Sequence, residues 1–183
     1  MPAPFRTADT LLSEHTQALP AGLDAETVVS HILGPTAERL NQRFADQAAY
    51  LDFWRDHPAF RGAWSAELEE YLAYDLSPEG DLLRPATSYR TTVDDTVDMN
   101  GGETLPAALE ALSHDTLLLT VPRGLRDDLP GLYPRVHLQP LLERMPQVRH
   151  RRIEGFNHYT IVLSGRGAAA VAGHVREALA PAG

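Results

Sequence analysis

From Asp24 to Leu76 apolar residues return at helical intervals, with no alternation of the strand type. Val28, Val29, Ile32 and Leu33 form a stripe behind Asp24, a capping residue, with Glu26 in the first turn. Gly34-Pro35 stops that helix and starts a second, whose buried side is marked by Ala37, Leu40 and Phe44. Asp46 caps a third carrying Tyr50, Leu51, Phe53 and Trp54, and His57 ends it because the residue before a proline avoids helical geometry. After Gly62, Ala63 to Leu76 predicts a fourth. Trp64, Leu68, Tyr71 and Leu72 fall on one side of it, and Glu67, Glu69 and Glu70 on the other. Ser77 to Pro85 reads as a turn-rich connector and a candidate domain boundary. Tyr89 to Met99 predicts a helix stopped by Asn100-Gly101-Gly102, and Leu105 to Leu112 a shorter one.

The pattern changes after Asp115. Thr116 to Val121 is an apolar run without alternation, as an internal parallel strand requires. Pro122 to Pro134 is a long loop, and Val136 to Met145 a helix despite Pro140 near its start. Gln147 to Glu154 predicts a noisy strand, with Val148, His150 and Arg152 on one face and Arg149, Arg151 and Ile153 on the other. Gly155 to Thr160 is a loop, and Ile161 to Leu163 is strand-like. From Gly167 a helix carries Ala168, Val171, Val175 and Leu179 at helical spacing until Pro181 closes it. Strand, helix, strand, helix at this spacing predicts a right-handed parallel crossover. The expected organisation is an irregular arm over 1–23, a helical lobe over 24–84 and an α/β portion over 85–183.

Composition narrows the chemistry. The 183 residues carry a net charge of −9, which disfavours nucleic acid as a partner. Arg149, Arg151 and Arg152 are locally basic, but three arginines beside a strand are the mark of a solvated face. All 16 basic residues are arginine, which excludes a Schiff-base lysine or a phosphate loop of the Walker type. The absence of cysteine excludes disulfides, thiolate zinc sites and a cysteine nucleophile. No stretch is apolar for long enough to span a membrane or to act as a signal peptide, so the expected location is the cytoplasm. Without an HExxH, an EF-hand spacing or a tight His/carboxylate cluster, neither metal nor cofactor is expected. Gly165-Arg166-Gly167 has the look of a dinucleotide fingerprint but lacks a following strand and ribose-binding acid, so it is better taken as a helix N-terminus.

Three stretches carry a family likeness: GFNHYTIVL from Gly155, DTLLLTVPRGLRDDLPGLY from Asp115, and YLDFWRDHPAFRGAWSAELEEYLAYDL from Tyr50. Together they resemble the C-terminal half of a cap-bearing α/β-hydrolase, of the esterase-like or epoxide-hydrolase-like kind. The resemblance spans most of the chain from about Ala25. It implies a partial α/β-hydrolase-like fold, with the helical lobe as the cap above a parallel sheet. It also implies a hydrolase acting on a small ester-like or lipophilic substrate. His158, between strand and terminal helix, would be the general base, for which an imidazole titrating near neutrality is suited. The other histidines, His57 included, are expected to be structural or solvent-facing.

The orienting carboxylate's usual slot falls near Gly124, so Asp127 or Asp128 would have to reach back. Both also make sense as a turn signal before Pro130-Gly131, and the two readings stand together. Asp9 is a weaker stand-in. By the same likeness Trp54, Phe60, Trp64, Tyr71 and Tyr159 would line the substrate pocket, although aromatics at helical spacing are also ordinary core. Neither a Gly-x-Ser-x-Gly elbow nor an HGGG-like loop occurs around any of the seven serines. The nucleophile is therefore expected from a separate or missing N-terminal half, the chain alone being inactive. Self-association through an open sheet edge is the other partner expectation. The alternative function is a binding or interaction domain that keeps the scaffold without the chemistry.

Overall fold

The computed structural model describes residues 27, 29–30, 34–101 and 104–180. The irregular arm, the Asp9 alternative and most of the first predicted helix (Asp24, Glu26, Val28, Ile32 and Leu33) lie outside them. In chain order the elements are α1 (Pro35–Glu38), a 3₁₀ turn (Arg39–Asn41), α2 (Gln47–Arg55), a second 3₁₀ turn (Pro58–Phe60), α3 (Ala66–Tyr74), β1 (Leu76–Glu79) and β2 (Leu82–Pro85). They continue with α4 (Tyr89–Gly101), α5 (Thr104–Glu110), β3 (Thr116–Thr120), α6 (Arg135–Arg144), β4 (Val148–Arg152), α7 (Thr160–Leu163) and α8 (Gly165–Leu179). The class is mixed α/β, with one antiparallel and one parallel strand pair among the described residues.

The chain divides into two compact units, each made of two separated segments: Met1–Gln47 with Asp75–His114, and Ala48–Tyr74 with Asp115–Gly183. These divisions cut the chain differently from the expected 24–84 and 85–183.

In the first unit the predicted connector at Ser77 to Pro85 is instead a hairpin. Its strands pair from Leu76↔Pro85 to Glu79↔Leu82 across the two-residue loop Gly80-Asp81. Gly80 sits at φ 62°, where a side chain would be strained. Phe44 was expected on a helix that in fact stops at Asn41. It is buried by a different route: its N–H and C=O each bond Leu83 at 2.8 Å, extending the hairpin by one antiparallel bridge. Arg39 reaches Asp75 at 2.8 Å, and the other Asp75 carboxylate oxygen accepts from the Thr87 hydroxyl at 3.1 Å.

In the second unit α2 buries Tyr50, Leu51 and Trp54 on one face, and His57 in extended geometry ends it ahead of Pro58. α3 begins later than expected, at Ala66, with the Ser65 hydroxyl accepting from the Leu68 N–H. Leu68 and Leu72 turn inward, whereas Tyr71 is 58% exposed. The strands β3 and β4 pair in parallel from Thr116↔Val148 to Thr120↔Arg152, with α6 in the connection between them. β3 is half-exposed along most of its length rather than fully buried, because among the described residues it has a neighbour on one edge only. On β4, Val148 and His150 are half-buried, while Arg149, Arg151 and Arg152 face solvent as expected. The Thr120 hydroxyl lies 2.8 Å from His150 Nε2.

Ile161 to Leu163 is helical, not strand-like. The Asn157 side-chain oxygen accepts from the Tyr159 and Thr160 N–H groups, and the Thr160 hydroxyl accepts from the Asn157 N–H. That reciprocal cap starts a helical turn and overrides the β-branched residues after it. α8 then packs so closely on α7 that a Cβ at Gly167 would lie 2.3 Å from the Thr160 carbonyl oxygen. The apolar stripe of α8 is largely uncovered, with Leu179 78% exposed.

Candidate functional site

The loops that follow β3 and β4 meet. Backbone pairing continues past the strands as a parallel bridge between Arg123 and Asn157. In the first loop Asp127 takes a positive φ of 64°, a conformation aspartate tolerates, within a turn closed by Gly124 N–H to the Asp128 carbonyl at 2.9 Å. Its carboxylate accepts from Arg123 Nε at 2.6 Å and from Asn157 Nδ2 at 2.9 Å. Asn157 is only 2% exposed, and its Nδ2 also donates to the Ala59 carbonyl at 2.7 Å. Its amide thus makes two donor and two acceptor bonds, which is its full useful capacity in a buried setting.

Asp127 shapes a turn and reaches the loop that carries His158, without touching the His158 ring. It does so through Asn157, the residue before His158. Among the described residues the His158 ring makes no hydrogen bond or ion pair; its ring neighbour is Tyr159, with centroids 6.2 Å apart. The residue is open to solvent, yet chain packed around the ring lowers its pKa below the ordinary histidine value by removing water. Neutral His158 therefore has a ring nitrogen able to accept a proton. Asp128 is turned to a surface pair with Arg126 at 3.6 Å.

A cleft of about 370 Å³ opens beside Asn157. Its wall holds Arg61, Trp64, Arg123, Asp127, Asn157 and Arg166, with Ser164 and Gly165 at the start of α8. Of the five aromatics expected to line a pocket, Trp64 alone does. Trp54 and Phe60 are buried, with Tyr159 beside them, in a cluster of edge and tilted ring contacts around His57, and Tyr71 faces solvent. The expected lipophilic lining is in this sense core.

His57 is 3% exposed, and its Nδ1 accepts from the Ala59 N–H at 3.3 Å. Burial lowers its pKa first and the Arg126 charge lowers it further. The structural role expected for it holds, and its place between Trp54, Phe60 and Tyr159 puts it against the loop that carries Asn157 and His158. Arg61, Arg123, Asn157 and Arg166 were not singled out by sequence. Asn157 carried a usable signal, since Asn-x-x-Thr before an apolar run is a capping pattern. The arginines carried none, being scattered over more than 100 positions and joined only by folding.

Among the described residues no helix is long and apolar enough to cross a membrane, and no group of three or more metal-binding side chains is found. No protein-family model, no curated protein and no solved structure matches the chain.

Proposed function

We propose that the second unit is the histidine-bearing portion of an α/β-hydrolase-like enzyme, with His158 as general base. The observation that supports this reading most is the meeting of the loops after two adjacent parallel strands, with Asp127 on one and Asn157-His158 on the other. Sites in α/β sheets are built at this end of the strands. In the proposed reaction His158 takes the proton of a serine hydroxyl as that oxygen bonds to an ester carbonyl carbon. It then returns the proton to the departing alkoxide as the C–O bond breaks. Water repeats the cycle and frees the acid. The serine and the oxyanion donors belong to an N-terminal hydrolase half, separate or missing from this sequence, which contains no Gly-x-Ser-x-Gly elbow. Asp127 holds the base in place through Asn157 rather than by touching it.

The test is complementation. Mixed with a serine-bearing half, the chain should hydrolyse p-nitrophenyl esters, and His158→Ala should lower kcat by about 10³-fold or more. Turnover unchanged in His158→Ala would overturn the reading.

A second reading has its own support. Asp127, one of the two carboxylates expected to orient a catalytic histidine, bonds Arg123 and Asn157 instead of the His158 ring. A binding domain that keeps the scaffold without turnover fits that geometry, and ligand binding without hydrolysis in the complementation assay would favour it.

A further inference from the structure

The charge of the cleft runs against the charge of the chain. Acidic residues outnumber basic ones 25 to 16, yet the wall carries Arg61, Arg123 and Arg166 against Asp127 alone. The three arginines come from three separate segments: the turn after Pro58–Phe60, the loop after β3 and the first turn of α8. Folding has gathered them.

They are not equivalent. Arg123 is matched by Asp127 at 2.6 Å and also approaches the Gly155 carbonyl at 3.5 Å. Arg61 and Arg166 meet no carboxylate among the described residues. Arg166 rests its guanidinium carbon 5.2 Å from the centre of the buried Phe156 ring. A guanidinium settled on an aromatic face is restrained in position while its N–H edges remain free to donate. Like charges sharing one concave wall concentrate the field and draw in anions. Gly165 and Arg166 also present first-turn N–H groups of the 15-residue α8, which have no acceptor inside the helix. Trp64 adds a flat apolar wall, its Nε1 occupied by Glu69 at 2.6 Å.

We propose that this cleft binds a small oxyanion, a carboxylate or phosphate group, gripped by Arg61 and Arg166. Arg123, Asp127 and Asn157 form a floor of balanced charge beneath it. A volume of about 370 Å³ suits a small molecule rather than a polymer. His158 is not part of the wall, so the site stands whether or not the hydrolase reading does.

The experiment is a titration of the intact chain with inorganic phosphate, and separately with succinate, at constant ionic strength set by chloride. Backbone amide shifts of Gly155 and Gly165 are followed by NMR. Saturable shifts are expected, with Arg61→Gln and Arg166→Gln each weakening binding about tenfold and the exposed Arg90→Gln leaving it unchanged. Tighter binding of phosphate or of succinate supports the proposal and names the ligand class. Shifts that fail to saturate with both anions, or that saturate equally in the two cleft variants, overturn it. Circular dichroism confirms that each variant is folded, and either of the two suffices to decide.

Discussion

Two fastenings join distant parts of this chain, one in each unit, by opposite chemistry. In the first unit the hairpin is tied by charge: Arg39 to Asp75 across 36 positions, and Arg43 to Glu79 across the same distance. In the second unit a neutral amide does the work, as Asn157 reaches Ala59 across 98 positions and Asp127 across 30. The ionic side chains retain between 11% and 48% of their exposure, so water and salt compete for them. Asn157 has no such competitor. Once buried, an amide must be satisfied completely or it destabilises the fold, so the uncharged fastening is the stronger of the two.

The sharpest way to break that comparison is Asn157→Ala. It strips the Ala59 carbonyl and the Asp127 carboxylate of a partner and removes the cap of α7, which should cost about 3 kcal/mol in urea denaturation. A loss below about 1 kcal/mol would place the amide no higher than a surface ion pair. Gly167→Ala comes next. Its methyl would fall 2.3 Å from the Thr160 carbonyl oxygen and 2.4 Å from that of Ile161, so α7 and α8 must separate. Overpacking against backbone of this kind costs about 2 kcal/mol, and the same melts measure it.

The contrast also marks what could be seen in sequence. Some local signals are legible: the proline after His57 ends α2, and the apolar run at Thr116 forms a parallel strand, whereas the stop expected at Asn100-Gly101 does not act there, since α4 runs through both residues to Gly101. The hairpin is hard to read from sequence although Gly80-Asp81 is a sound two-residue loop, because Pro78 and Pro85 sit within its strands and a proline in a run argues against strand. Strand character at Ile161 to Leu163 loses to the cap at Asn157, four residues before Ile161. His158 and Asp127 were legible as candidates one by one. That Asp127 would bind the neighbour of the histidine could not be read, since it depends on where the two loops meet. The arginine-lined wall was invisible for the same reason.

Acid provides a third test, directed at the aromatic cluster beside the amide. His57 is a weaker base folded than unfolded, with burial the main cause and Arg126 the second. As pH falls through the ordinary histidine value of 6.5, the unfolded chain gains a proton the folded chain resists, so stability is lost. Between about pH 7 and pH 5 the loss should be on the order of 1 kcal/mol. The carboxylates with lowered pKa, Glu67 and Glu69, act below their ordinary value of 4.5 and leave this window to histidine. His57→Asn keeps an acceptor for the Ala59 N–H but does not titrate, and should flatten the slope in part. His150 and His158, lowered in the same direction, supply the remainder.

The smallest effect belongs to the charged fastening. Asp75→Asn keeps an oxygen for Thr87 but removes the charge facing Arg39, a pair whose side chains are 11% and 22% exposed. Roughly 0.5–1 kcal/mol should be lost at low ionic strength, and much of the difference should vanish in molar salt as screening shortens the reach of the charge. Arg43→Gln, on the more open pair with Glu79, should change stability by less than about 0.5 kcal/mol under either condition. If Asp75→Asn instead matched Asn157→Ala in both salts, the hairpin tie would be behaving as a buried group, and burial rather than charge would have to explain both units.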